Sequence, residues 1–296
     1  MFNINRAITL NEFTRFKDFT VWFKRRSPTM FEFACIEDPN RLHGTITDDH
    51  MIVNMQDDES CDYSKDDVKS EFMKYKSDRP EYWVGKKINT SELDPSDLIW
   101  SYEQVLVGCA LIRAKNNGCD IDDVIAKATK PIEYLRKTDF YSAPASTQYH
   151  DSNPSGLLIH TLNVINNAIE LLKVDKFSSL DISSAVLCAA VHDWCKIGLY
   201  EPYKRNVRDE TTGQWTQVTA YRYTSDRPIC LGHGASSMYM ALKFFNLSLS
   251  EAAAIRYHMG RWNCVDSEVN ELQQANRTYP LAHLIQFADQ LAIVNY

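Results

Sequence analysis

From Ser96 onward, apolar residues recur at three- and four-residue spacing through most of the chain, the period of helices with one buried face. Residues 97–115 keep that spacing and stop at Asn116-Asn117-Gly118, a helix-ending signal. A second helix is predicted over 120–136, with acidic residues at its start. Within 155–174, Leu158, Leu162, Ile165, Ile169 and Leu172 form one stripe, and Leu157, Thr161, Val164, Ala168 and Leu171 a second beside it. So wide an apolar face predicts a central, mostly buried helix. Further helices are predicted over 181–195, capped by Asp181 and ending near Gly198, and over 234–245. Two more are predicted over 248–258, where Ser248 and Glu251 have capping-box spacing, and over 280–294, where Pro280 takes the first helical position. Two stretches break the helical period. Residues 206–208 and 215–223 read as strands flanking Thr212-Gly213, which predicts a β-hairpin inserted among the helices. Before residue 64 the pattern is mixed: 29–37 and 44–55 are rich in Ile, Val, Phe, Thr and Met, and Pro39-Asn40 and Asp48-Asp49 supply turns, so two or three short strands are expected. Residues 64–76 have helical spacing and 77–95 look irregular. The expected fold is therefore mainly α: a helical bundle with an inserted β-hairpin over 139–296, preceded by a mixed α+β region over 1–138.

Composition narrows the class. A chain of 296 residues that is 44% hydrophobic is expected to be globular with a sizeable core. It has no run of eighteen apolar residues and no basic-then-apolar leader, so the expectation is a cytoplasmic protein without a membrane span. Eight cysteines occur without any C-x-x-C pair, which argues for reduced thiols and against a zinc ribbon or a thioredoxin-type site. Cys109 and Cys188 lie in apolar helical runs and are expected as small core residues. The formal charge of −7 argues against wrapping long nucleic acid by charge alone.

Candidate chemistry sits in segments that place a histidine or aspartate at an apolar helix or its end. They are Gly156-Leu157-Leu158-Ile159-His160-Thr161-Leu162, Val191-His192-Asp193-Trp194-Cys195-Lys196-Ile197-Gly198, Leu231-Gly232-His233-Gly234, Arg256-Tyr257-His258-Met259-Gly260 and Phe287-Ala288-Asp289-Gln290. One histidine on an apolar helix is more often a hydrogen-bonded core residue than a ligand. The His192-Asp193 pair and Asp289 are different, because a carboxylate buried among apolar neighbours is costly without a cation or strong donors. An all-His/Asp set suits Mn, Fe, Mg, Zn or Co better than a thiolate-seeking metal.

The ordered combination, H…HD…H…H…D on successive helices, resembles the HD-domain metal-dependent phosphohydrolases. The resemblance runs from about Phe140 to the C-terminus and lies nearest the HD domain of bacterial 3′–5′ exoribonucleases and related phage and bacterial proteins. It implies an HD-type helical bundle and two divalent metal ions. The first ion would be held by His160, His192, Asp193 and Asp289. The second would be held by His233 and His258, with Asp193 bridging. It also implies hydrolysis of a phosphate ester by metal-activated water, with Asp193 and Lys196 in the catalytic group and Lys196 facing the phosphate or the bridging hydroxide. From the residues alone, Lys196 reads equally well as a surface lysine at a helix C-terminus. Substrate contacts are expected from His150, just before the first ligand helix, from Arg205 and Arg222 on the hairpin, and from Arg261. The hairpin interleaves Lys204, Arg205, Arg208, Arg222 and Arg227 with Tyr203, Trp215, Tyr221 and Tyr223, which fits phosphates and bases or an ordinary solvated ribbon. The leading expectation is a phosphohydrolase or phosphodiesterase acting on a nucleotide or short oligonucleotide. The alternatives are a 3′–5′ exonuclease on RNA or single-stranded DNA, and a non-catalytic nucleotide-sensing or partner-binding module.

Overall fold

The computed structural model describes residues 13–16, 19–27, 30–35, 42–47, 51–55, 84–85, 87–91, 94–116, 130–149, 151–209, 211–225 and 231–294. The helix expected over 64–76, most of that over 120–136, His150 and Arg227 lie outside the described residues. The chain divides into two compact units, Met1–Pro80 with Leu93–Trp100, and Glu81–Glu92 with Ser101–Tyr296.

The first unit holds an antiparallel sheet of β1 (Phe13–Phe16), β2 (Phe19–Ser27), β3 (Met30–Cys35), β4 (Leu42–Thr47) and β5 (Met51–Met55), each strand paired with the next. It is a five-stranded meander where the pattern predicted two or three strands. Phe16 pairs with Phe19, leaving Lys17-Asp18 between β1 and β2, and that dipeptide lacks the Asn-Gly or Asp-Gly signature of a tight hairpin. Lys24-Arg25-Arg26 also blurs the apolar alternation of β2, and the register shifts between Arg25 and Ser27.

The second unit is helical. It contains α1 (Pro95–Asn116, from Ser101 on), α2 (Gly156–Leu171), α3 (Ile182–Val191), a 3-10 turn (Trp194–Lys196), the ribbon β6 (Tyr200–Arg208) and β7 (Trp215–Tyr223), α4 (His233–Leu242), α5 (Leu249–Arg256), α6 (Val269–Thr278) and α7 (Pro280–Val294). Helix predominates and the inserted hairpin is present, with β7 at its expected bounds. β6 starts earlier than expected because Pro202 masked it; both strands of a two-stranded ribbon are edges, where proline is tolerated. Residues 101–116 and 130–138, which the sequence pattern attached to the N-terminal region, belong to this unit.

Local rules account for the helix ends. Asp181 caps α3 by accepting from Ser184 N, and Ser248 and Glu251 form the capping box of α5. Buried Leu157, Leu158, Leu162, Val164, Ile165 and Ala168 seat α2 against α3 and α7, while α5 packs on α3, α4 and α7. Fully burying each such aliphatic side chain contributes roughly 1.5–3 kcal/mol. Cys109 and Cys188 are buried thiols, as expected. Among the described residues, no helix is long and apolar enough to cross a membrane.

Candidate metal centre

The ends of four helices and the middle of two converge on one buried cluster. His160 projects from α2, His192 closes α3, Asp193 opens the 3-10 turn, His233 begins α4, His258 follows α5, and Asp289 sits on α7. All six residues expected as ligands are thus brought together, and overlapping sets of three have ligand atoms within 4.8 Å of one another: His160, His192 and Asp193; His192, His258 and Asp289; and Asp193, His233 and His258.

Asp193 is the hinge of the arrangement. Its Oδ2 lies 3.4 Å from His160 Nε2, 3.3 Å from His192 Nε2 and 2.7 Å from Lys196 Nζ. Its Oδ1 lies 2.8 Å from His233 Nε2 and 3.7 Å from His258 Nε2. Asp289 Oδ1 completes the first side, 3.1 Å from His160 Nε2 and 3.8 Å from His192 Nε2. One carboxylate therefore faces two ligand sets with separate oxygens.

The histidines are oriented from behind. His192 Nδ1 is 2.7 Å from Ala189 O and His258 Nδ1 is 2.8 Å from Ile255 O. A carbonyl only accepts, so both Nδ1 atoms carry hydrogen, and in the neutral rings the Nε2 lone pairs point into the cluster. Metal-binding histidines are commonly held this way. His258 Nε2 is buried and has no hydrogen-bond partner, although it stands among acids and imidazoles. An orphaned acceptor at that place, in an all-nitrogen and oxygen donor set, fits a divalent cation.

Electrostatics keep the cluster ionised. Burial opposes charge on Asp193, but the Lys196 ammonium beside it and the hydrogen bond from His160 outweigh it and hold the carboxyl well below the usual carboxylate range. Asp289 is depressed likewise, against its burial, by His160 and His192. Burial pulls the His160 imidazolium pKa down, yet hydrogen bonds to Asp193 and Asp289 raise it to about 9. Burial also disfavours the Lys196 ammonium, but Asp193 more than compensates and its pKa rises. Two carboxylates thus face two cations, Lys196 and protonated His160. His233 behaves oppositely: burial lowers its pKa against the pull of Asp193.

The surrounding shell holds the His-Asp segment in place. Trp194, fully buried, donates from Nε1 to Tyr102 Oη (2.9 Å), and Tyr102 donates to Ala190 O (2.8 Å). Ser237 Oγ accepts from Cys195 N at 3.0 Å, and Cys195 Sγ lies 3.2 Å from His233 Nδ1. Burial, then the charge of Asp193, pushes the Cys195 thiol up to about 12, so it is a neutral neighbour of His233. The sequence pattern did not single out Tyr102, Cys195 or Ser237. Only Ser237 carried a signal, its four-residue spacing from His233, which puts both on one helix face.

Gly234 permits the approach of α4 to α5. A Cβ there would stand 2.1 Å from Arg256 O and 2.7 Å from Arg256 C, backbone atoms that cannot swing aside. Gly234→Ala is therefore expected to push apart His233 and the chain leading to His258. Thermal melting should show a loss of about 2 kcal/mol or more, with weaker divalent-metal binding in the same protein. A variant that melts and binds metal as the parent does would contradict this geometry.

The expected substrate residues are placed less centrally. Lys196 is buried and bonded to Asp193. Arg222 pairs with Glu201 at 2.7 Å, Arg261 is tied to Asp266 and to Cys264 O, and Arg205 stands exposed on the ribbon. Among the described residues, none of these three arginines has a hydrogen bond or ion pair to the six clustered residues.

No family model, curated protein or solved structure matches this chain; the buried His and Asp groups of this mainly helical unit can hold a metal ion.

Proposed function

We propose that the chain is a metal-dependent phosphoester hydrolase of the HD type, acting on a nucleotide or short oligonucleotide. The observation that carries the reading is the division of Asp193: Oδ2 serves His160 and His192, and Oδ1 serves His233 and His258. A carboxylate shared between two imidazole sets is suited to bridging two cations of a dinuclear site. His160, His192, Asp193 and Asp289 would hold one divalent cation, and Asp193, His233 and His258 the other. When bound, such cations supply an activated water and offset the charge that develops on phosphate oxygens.

The chain's own residues do the rest. His192 and His258 are pre-oriented by backbone carbonyls, so binding a cation requires no rotation of either ring. Lys196 stays charged because Asp193 faces it, and its ammonium is a fixed positive group at the edge of the cluster, suited to a phosphate oxygen. His233 has the most exposed side chain of the six, 23% accessible where the others reach at most 7%. The cluster therefore opens to solvent on the His233 side, and substrate is expected to enter there.

The direct test is hydrolysis of bis-p-nitrophenyl phosphate. Cleavage stimulated by manganese and abolished by a chelator is expected. No cleavage with Mn, Fe, Mg, Zn or Co would overturn the hydrolase reading.

Metal affinity should also depend on pH with a defined sign. The metal-free cluster holds a proton on His160 up to about pH 9, and a cation must displace it. Apparent affinity, measured by calorimetry, is expected to rise by up to about tenfold per pH unit through neutrality and to level off above His160's own pKa. In the metal-free protein the sign reverses. The raised pKa contributes stability that is full below the ordinary histidine range and is lost as pH climbs through about 9. A pH-independent affinity would contradict the protonated His160.

A further inference from the structure

The ribbon's register sorts its side chains in a way that composition alone conceals. Directly opposed residues share a face. One face carries the pairs Tyr200–Tyr223, Pro202–Tyr221, Lys204–Thr219, Asn206–Gln217 and Arg208–Trp215, and the other carries Glu201–Arg222, Tyr203–Ala220, Arg205–Val218 and Val207–Thr216. The first face gathers Trp215, Tyr221 and Tyr223 with Lys204 and Arg208, and has no acidic residue. On the second, Arg222 is neutralised by Glu201 and lies over the Tyr203 ring, 5.7 Å from its centroid. In a chain of net charge −7, an acid-free face of cations and aromatic rings is a local reversal of sign.

Two rings on that face are open to solvent, Trp215 at 70% exposed and Tyr223 at 52%, while Tyr200 and Tyr221 are half-buried. Lys204 is held on the face by donating from Nζ to Thr219 Oγ1 at 2.9 Å, and Arg208 by donating from Nε to Gly213 O at 3.1 Å. The amides of Asn206 and Gln217 stand between them. The ribbon begins just beyond Lys196, and Thr224 N donates to Leu199 O (3.0 Å) at its base. Strands of nine residues reach about 30 Å.

We propose that this face of the ribbon binds single-stranded nucleic acid and leads it toward the His/Asp cluster. Phosphates are drawn by Lys204 and Arg208, and unpaired bases stack on Trp215, Tyr221 and Tyr223. Duplex is a poorer fit, since its bases are already stacked on one another. A polyanion complements the charge of this face, which sets Arg208 beside Trp215 at the tip and Lys204 next to the Tyr221 and Tyr223 end, so phosphate and base contacts lie side by side. The strand's role as substrate rests on the hydrolase reading; its binding to the ribbon does not.

The test is fluorescence anisotropy of a labelled oligouridine of about twelve nucleotides with the full chain in chelator, so that nothing is cleaved. Trp215→Ala and Tyr223→Ala are each expected to weaken binding about tenfold. Lys204→Ala should weaken it several-fold and make the salt dependence shallower by about one unit of slope. Arg205→Ala, the neighbouring cation on the opposite face, should change binding by less than about twofold. The proposal is overturned if the oligonucleotide does not bind or if Trp215→Ala binds as the parent does. It is equally overturned if Arg205→Ala weakens binding as much as Lys204→Ala, which would be bulk charge alone. Displacement by polyglutamate as readily as by unlabelled oligouridine also overturns it and points to an acidic protein partner. Failure of bis-p-nitrophenyl phosphate hydrolysis with these results intact would sink the hydrolase and leave the strand-binding face standing.

Discussion

Asp193→Asn is expected to lower manganese-dependent phosphodiester hydrolysis by about a thousandfold or more. Asp193 is the carboxylate whose two oxygens divide between the imidazole sets, and it is also the partner of Lys196 at 2.7 Å. Asparagine keeps the shape but removes the charge. Its amide must also turn an NH2 either toward Lys196 or toward His233 and His258, so at least one side loses its acceptor. Asp193→Ala is the harsher change: it leaves the Lys196 ammonium buried without a counter-charge, a defect of about 3–5 kcal/mol. The asparagine variant therefore separates chemistry from folding, with thermal melting run beside the rate measurement. Hydrolysis within about tenfold of the parent in a folded Asp193→Asn protein would contradict a bridging role.

A large loss of stability away from the cluster is expected from Glu251→Ala. Glu251 is buried at the first turn of α5, pairs with Arg113 of α1, and closes the capping box by accepting from Ser248 N at 2.7 Å. Arg113 also donates to Asn246 O at 2.6 Å, so the pair ties α1 to the loop entering α5. Removing the carboxylate strands the guanidinium and frees the cap, and a cost of about 3–5 kcal/mol follows. In a unit of this size that lowers the melting midpoint by about 10 °C. Burial works against the Glu251 charge, but Arg113 and the Ser248 backbone hold its carboxyl below the ordinary range. Its charge therefore stabilises above the usual glutamate pKa, and the difference between parent and variant should shrink as pH falls below about 4. Glu251→Gln, which keeps the capping acceptor, is expected to lose less than the alanine variant. Unfolding free energies from urea titration that agree to within about 1 kcal/mol would show that the pair contributes little.

What the amino-acid pattern reveals here is what local physics decides. Asp181, Ser248 with Glu251, and Pro280 mark helix starts because a side chain or ring meets its own backbone within one turn. Asp193 and Asp289 are legible for a related reason, since a carboxylate in an apolar run is costly without a partner; His160, His233 and His258 are legible only through the order H…HD…H…H…D and the resemblance it carries. α6 carries no clear apolar period because it buries little beyond Leu272 and Ala275. β1 and β2 were lost to an unmarked two-residue connection, and the start of β6 to Pro202. The braces of the cluster, Tyr102 on Trp194 and Cys195 on His233, depend on residues that meet only after the helices pack. Pairing register was equally hidden. In the sequence Arg205 and Arg222 are hairpin cations like Lys204 and Arg208, yet the register puts both opposite the face that gathers Trp215, Tyr221 and Tyr223.

The dinuclear site is tested most directly by counting metal. Protein purified with manganese supplied, then freed of loose ions, is analysed for metal per chain alongside His258→Ala and Asp193→Asn. The geometry predicts about two equivalents in the parent, about one in His258→Ala, where the first ligand set stays whole, and well under one in Asp193→Asn. A parent that holds no divalent metal, or that keeps its full complement in Asp193→Asn, would contradict the shared-carboxylate site at the centre of this account.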